Sequence, residues 1–107
     1  MGVRIVDIEA FLKAIPKVSL HLHLMGSVQA QTAVELCKKH NVSLPDFDEP
    51  EDLYDYPDIY KFLHMYDNTA LGIIDRDDFS RIAYETLTEA AEHNVRYREM
   101  SFNPTTH

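Results

Sequence analysis

His21 and His23 stand one residue apart in the segment Lys17-Val-Ser-Leu-His-Leu-His-Leu-Met-Gly-Ser27, and paired imidazoles at that spacing can do metal chemistry. The residue types alternate from Val18 onward. Val18, Leu20, Leu22 and Leu24 fall on one side; Ser19, His21, His23 and Met25 fall on the other. Such alternation predicts a β-strand over residues 18–24. Side chains i and i+2 of a strand project the same way, about 6.6–7 Å apart at Cα, so both rings can reach one divalent ion at about 2.0–2.1 Å each. The other reading open to the pair is two structural or solvent-facing histidines. Its position at the C-terminal end of an apolar strand, just before Gly26, favours the metal. The leucines opposite are expected to pack against covering helices, as in a parallel strand of an α/β protein.

The elements that would position this strand can be read along the chain. Ile8, Phe11, Leu12 and Ile15 recur at helical spacing, with Asp7 as N-cap and Pro16 as the stop. A helix over residues 29–40 puts Ala33, Leu36, Cys37 and His40 on one face, with Asn41 as its C-terminal cap. The acidic, proline-bearing residues 43–57 read as a surface loop. Asp58 caps a helix running to residue 71, and Asp75 caps another running to residue 93. That last helix is expected to bury Phe79, Ile82, Ala83, Leu87, Ala90 and Ala91 before Asn94 ends it. Residues 95–102 then form a second strand, closed by Asn103-Pro104.

A long helical crossover between two strands implies parallel pairing. Two parallel strands alone leave open edges and faces without neighbours. The expected fold is therefore α/β, and residues 1–107 are expected to be the N-terminal fragment, a quarter to a third, of a single (β/α)₈ barrel domain of typically about 250 residues.

Composition narrows the function. The net charge of −8, with acids at 46–58 and 75–78, argues against nucleic acid or an anionic membrane as partner. No apolar run approaches bilayer length. Asp7 and Glu9 fall where a signal peptide needs apolar residues, and Val6 breaks the myristoylation pattern after Met1-Gly2. Cys37, the one cysteine, forbids an internal disulfide and fits a cytoplasmic protein, in which Asn41-Val-Ser43 carries no glycan. There is no Gly-x-Ser-x-Gly, P-loop or dinucleotide fingerprint, and one cysteine cannot supply Pro-Cys-x-x-Cys.

Three blocks of this chain resemble the adenosine deaminase family of metal-dependent hydrolases. The first is Pro16–Ser27, similar to the family's first barrel strand, whose His-x-His binds zinc. The second is Ile59, Phe62, Leu63 and Tyr66 followed by Asp67, similar to a helix whose apolar face lids the substrate pocket. The third is Asn94-Val-Arg-Tyr-Arg-Glu-Met-Ser-Phe-Asn-Pro104, similar to the second barrel strand. The resemblance implies one Zn²⁺ per intact subunit held in part by His21 and His23. It implies a small purine nucleoside or base as substrate, and the remainder of the barrel as the fragment's partner. His23, Met25, Ile59, Phe62, Leu63 and Tyr66 are the residues it turns toward substrate. A third histidine, an aspartate ligand, a glutamate proton donor and a histidine base are implied on later strands. No catalytic acid or base is therefore expected within residues 1–107, and the fragment alone should be inactive.

One position departs from the family pattern. Met25 stands where the family usually carries an acid that contacts the ribose, which leaves adenosine, a 5′-modified adenosine, adenine and other 6-aminopurines open as substrates. Two further readings remain: another His-x-His barrel hydrolase, or a small acidic helical module whose histidines are structural. Among the other side chains, Cys37 reads as a small buried residue and His40, His64 and His93 as structural. Arg96 and Arg98 are expected to pair with Glu99 or a helix acid.

Overall fold

The computed structural model describes residues 7–104. The Met1-Gly2 motif, Val6 and His107 lie outside the described residues. Helix α1 (Ile8–Ala14) starts where the Asp7 carboxylate accepts the Ala10 amide at 3.1 Å, and a Glu9–Lys13 ion pair spans one turn. Pro16 follows, and the chain enters strand β1 (Lys17–His23). A short 3₁₀ turn (Leu24–Gly26) leads to helix α2 (Ala30–Lys39). Helices α3 (Ile59–Leu71) and α4 (Arg76–Glu92) begin at the side chains of Asp58 and Asp75, as their positions predict. Strand β2 (Val95–Ser101) closes the described chain. Asn41 and Asn94 take positive φ (58° and 56°) after α2 and α4, the left-handed exit expected of them. No helix among the described residues is long and apolar enough to cross a membrane.

The two strands pair in parallel, with Lys17 opposite Val95 and His23 opposite Ser101. The Lys17 ammonium holds the entry to both strands, donating to the carbonyls of Ile15 (2.9 Å) and His93 (2.6 Å). Asn94 Nδ2 donates to Ala14 O at 2.7 Å across the same junction. The ladder is not regular. Ser19 faces Arg98 and Leu22 faces Met100, so three steps along β1 oppose two along β2, which is a bulge at Leu20–His21. The strict alternation read from the sequence breaks there, and Leu20 and His21 are both exposed. Val18 and Leu20 are 63% and 62% exposed rather than covered by helices. Along α1, Ile8, Phe11 and Leu12 are likewise exposed.

The core lies between the turn after β1 and the helices. Met25, Val28, Ala33, Leu36, Ile73 and Ile82 form one buried cluster. Met25 is 2% exposed within it, which corrects its expected place beside the histidines. The strand ends at His23, and the tighter 3₁₀ turn rotates residue 25 into the core. Gly72 lets the end of α3 touch α2, since a Cβ there would lie 2.7 Å from Cys37 Sγ. Cys37 itself is buried, as expected. The 43–57 segment is more than a surface loop. It contains a 3₁₀ turn (Pro50–Tyr54) that buries Leu53 and sends Tyr54 OH to Val28 O at 2.7 Å. On α4, Ile82 and Ala90 are buried, but Leu87 and Ala91 stay exposed.

Asp78 is the polar keystone of the helices. Its side chain is 1% exposed. It accepts from Lys39 Nζ (2.7 Å), His40 Nε2 (2.6 Å) and the amides of Ile74 (3.0 Å) and Asp75 (3.1 Å). Burial alone would push its pKa up. The bonds from Lys39, the two amides and His40 outweigh that and hold the carboxyl well below the usual range. Beside it, Arg81 bridges Glu35 and Glu85, a second tie between α2 and α4.

Two outcomes follow for stability. Asp78→Asn should lower unfolding free energy at neutral pH by about 2–3 kcal/mol in chemical denaturation; a loss under about 0.5 kcal/mol would contradict this account. Because the folded-state pKa is depressed, Asp78 contributes fully above about pH 5 and loses its contribution as pH falls below about 4. The variant should lack that part of the acid slope. Met25→Asp should destabilise by at least about 3 kcal/mol, because it sets a carboxylate among Leu36, Ile73 and Ile82. Met25→Leu should cost less than about 1.5 kcal/mol. Equal thermal midpoints for the two variants would show that residue 25 is not a core position.

Candidate active site

The histidine rings converge. His21 Nε2 and His23 Nε2 lie 3.2 Å apart, with ring centroids 5.1 Å apart and planes inclined at 48°. Both rings are on exposed positions at the C-terminal end of β1. Nitrogens 3.2 Å apart, each about 2.05 Å from a common ion, subtend about 100° at it, close to the tetrahedral value zinc prefers. The donors are neutral-capable imidazoles on one rigid strand, so the pair fits a shared divalent metal.

The second strand completes the surroundings of His23. Register brings Ser101 beside it, and Ser101 Oγ lies 3.1 Å from His23 Nδ1 and 3.4 Å from Leu22 O. A cleft of about 510 Å³ opens from there, lined by His23, Ser101, Phe102 and Asn103 on the strand side and by Phe62, Leu63 and Tyr66 on α3. His21 lies outside that lining and borders a smaller hollow with Glu99 and Met100.

Helix α3 is divided between two tasks. Its buried face is Met65, Thr69 and Ala70, with Thr69 Oγ1 bonded back to Met65 O at 2.6 Å. The stripe singled out in the sequence lies off that face: Ile59, Phe62 and Leu63 are exposed and Tyr66 is half-buried. Among the described residues the stripe is therefore not part of the buried core. Phe62, Leu63 and Tyr66 reach the cleft, whereas Ile59, on the first turn and 59% exposed, does not. Gly26 fixes how near the helix comes, because a Cβ there would stand 3.1 Å from Tyr66 Cε2. Met25, buried in the core, is absent from the lining. Ser101, Phe102 and Asn103 belong to the third block read in the sequence but carry no site role there. Their place opposite the histidine end of β1 was the available signal, but it requires the register.

Elsewhere, His40, Asp75 and Asp78 bring three potential ligand atoms within 4.8 Å of one another. Their cation is already present: Lys39 Nζ lies 2.7 Å from both Asp75 Oδ2 and Asp78 Oδ1. This is a satisfied structural network, in keeping with the structural role expected of His40. Arg98 forms no ion pair with Glu99, contrary to expectation. Its guanidinium donates to Thr86 O and Oγ1 at 3.0 and 2.9 Å, while Arg96 turns to Asn94 and Glu99 accepts from Tyr97 OH.

Comparison with known proteins shows the family and the fold. The sequence model of the adenosine deaminase family matches residues 16–107. The chain is 34% identical over 103 residues to an uncharacterized deaminase of Schizosaccharomyces pombe, covering 94% of this chain and 30% of that protein. It is 33% identical over 98 residues to an adenine deaminase of Psychrobacter cryohalolentis, covering 90% and 30%. An amidohydrolase structure from Burkholderia ambifaria, solved with bound zinc, superposes with a TM-score of 0.77 at 36% identity, over 98% of this chain and 29% of that one. An adenine deaminase structure from Arthrobacter aurescens superposes at 0.72 and 30% identity, over 88% and 29%. The chain thus spans about 30% of the length of the relatives it matches. The two parallel strands and four helices of the described residues are part of a (β/α)₈ barrel. A converging histidine pair on the first strand, an aromatic helix beside it and a match over nearly the whole chain lead to one assignment: the chain belongs to the adenosine deaminase family.

Proposed function

We propose that the intact protein is a zinc-dependent hydrolase that replaces the amino group of a 6-aminopurine with oxygen. Water adds at C6 and ammonia leaves, so adenine would give hypoxanthine and adenosine would give inosine. The observation that carries this reading is the 3.2 Å approach of His21 Nε2 and His23 Nε2 at the end of a barrel strand, where the active sites of this architecture lie.

Each residue has a stated task. His21 and His23 would hold the zinc through Nε2. A bound zinc supplies a water acidified toward pH 7. Phe62, Leu63, Tyr66 and Phe102 offer flat apolar surface to a heteroaromatic ring and exclude water from one side of it. Ser101 and Asn103 offer hydroxyl and amide groups at the rim of the same cleft. The remaining zinc ligands and the groups that move protons would come from beyond this chain's described residues, so we assign no catalytic acid or base here.

Free adenine is the substrate we favour over the nucleoside. The relatives from Psychrobacter cryohalolentis and Arthrobacter aurescens are named adenine deaminases. Residue 25, where the family pattern carries a ribose-contacting acid, is a buried methionine in this chain.

The full-length protein should contain zinc and release ammonia from adenine with kcat/KM at least about tenfold above adenosine. His21→Ala or His23→Ala should remove metal and lower kcat/KM by about 10³-fold or more. A zinc-free protein of full activity would end the metal reading. A preference for adenosine would leave the metal reading intact and overturn only the choice of substrate.

A further inference from the structure

We propose that Ser101 is a positioning residue for the metal site: its hydroxyl accepts the Nδ1 proton of His23 and so presents Nε2, unprotonated, to the ion. The proposal rests on the metal reading above and adds a residue from the second strand to it. An imidazole ring can ligate only through a nitrogen without a proton, and which nitrogen that is depends on the bond the other makes. His23 Nδ1 has Ser101 Oγ at 3.1 Å, and His23 Nε2 faces His21 Nε2 at 3.2 Å. A serine hydroxyl has one proton to give and two lone pairs to receive with. Leu22 O lies 3.4 Å from Oγ and can take that proton, which leaves Oγ as acceptor toward His23.

The arrangement is a short relay: Nδ1–H of His23 to Ser101 Oγ, and Ser101 O–H to Leu22 O. In the metal-free chain, the gap between the two Nε2 atoms is then bridged by a proton on His21. To hold an ion in that gap, His21 would have to give up its Nε2 proton, whereas His23 would already present an unprotonated Nε2. The register of the parallel pair makes this possible, because it sets Ser101 directly opposite His23. Ser101 also lines the cleft, so the relay lies at the junction between metal pair and purine surface.

The test uses the full-length protein stripped of metal. Nitrogen-15 NMR of the histidine rings should find His23 protonated at Nδ1, the reverse of the Nε2–H form that an unconstrained neutral histidine side chain favours. Zinc affinity, measured by competition with a chromogenic chelator, should fall 10–100-fold in Ser101→Ala. It should stay within about threefold of the parent in Ser101→Thr, which keeps the hydroxyl. His23 protonated at Nε2 in the parent protein overturns the proposal without any variant. So does Ser101→Ala binding zinc within about twofold of the parent while His23→Ala loses it. If His23→Ala also keeps the parent's affinity, the metal reading itself falls.

Discussion

Parallel pairing of β1 with β2 is the constraint on which the site depends. The Lys17 ammonium and the Asn94 amide lock the start of the two strands to the carbonyls of Ala14, Ile15 and His93. From that origin, through an irregularity between Lys17 and Val18 and the bulge at Leu20–His21, the ladder arrives with His23 opposite Ser101. A one-residue slip would move Ser101 from His23 and turn the second strand's side chains over. Bulges are frequent beside active sites because they re-aim one side chain against its neighbour. Here the bulge includes His21, one member of the histidine pair, and ends two residues before His23, the other. The site is thus built by backbone hydrogen bonds first and by side chains second.

The helices supply a frame more than a roof. Their common core is small and mostly aliphatic, and it is bolted from α2 to α4 by two charged clusters, Lys39–His40–Asp75–Asp78 and Glu35–Arg81–Glu85. Charges in such places are tolerated only when each has partners, and Asp78 accepts four hydrogen bonds in return for its burial. Helix α3 uses one face for this frame and offers the other, with Phe62, Leu63 and Tyr66, to the cleft. Close contact at Gly26 sets the distance between that face and the histidine strand. The aromatic surface is therefore held by the same turn that swings Met25 into the core.

Local chemistry explains what could be read from the residues in order. Caps at Asp7, Asp58 and Asp75, the left-handed asparagines, the parallel crossover and the convergence of His21 with His23 all follow from neighbours within a few positions or from loop length. The features that sequence missed are set by distant partners. What covers a strand face is set by elements far away in the chain, so Leu20 and Val18 read as covered although they are exposed among the described residues. The strand's end at His23 depends on the turn that follows, so Met25 read as a pocket residue. Leu53 and Tyr54 look like loop residues until Val28 is brought near. Ser101 is an ordinary serine until register gives it a histidine to hold. The reading as a small acidic module with structural histidines gives way to the family match and the barrel superpositions.

The central claim is that the metal belongs to His21 and His23 and to no other cluster of this chain. An anomalous-difference map recorded at the zinc edge from crystals of the full-length protein tests it most directly. The account predicts a peak about 2.0–2.1 Å from Nε2 of both histidines, and none at His40, Asp75 and Asp78, where Lys39 already stands. A peak at that second cluster, or none beside the His21–His23 pair in zinc-replete active enzyme, would contradict it.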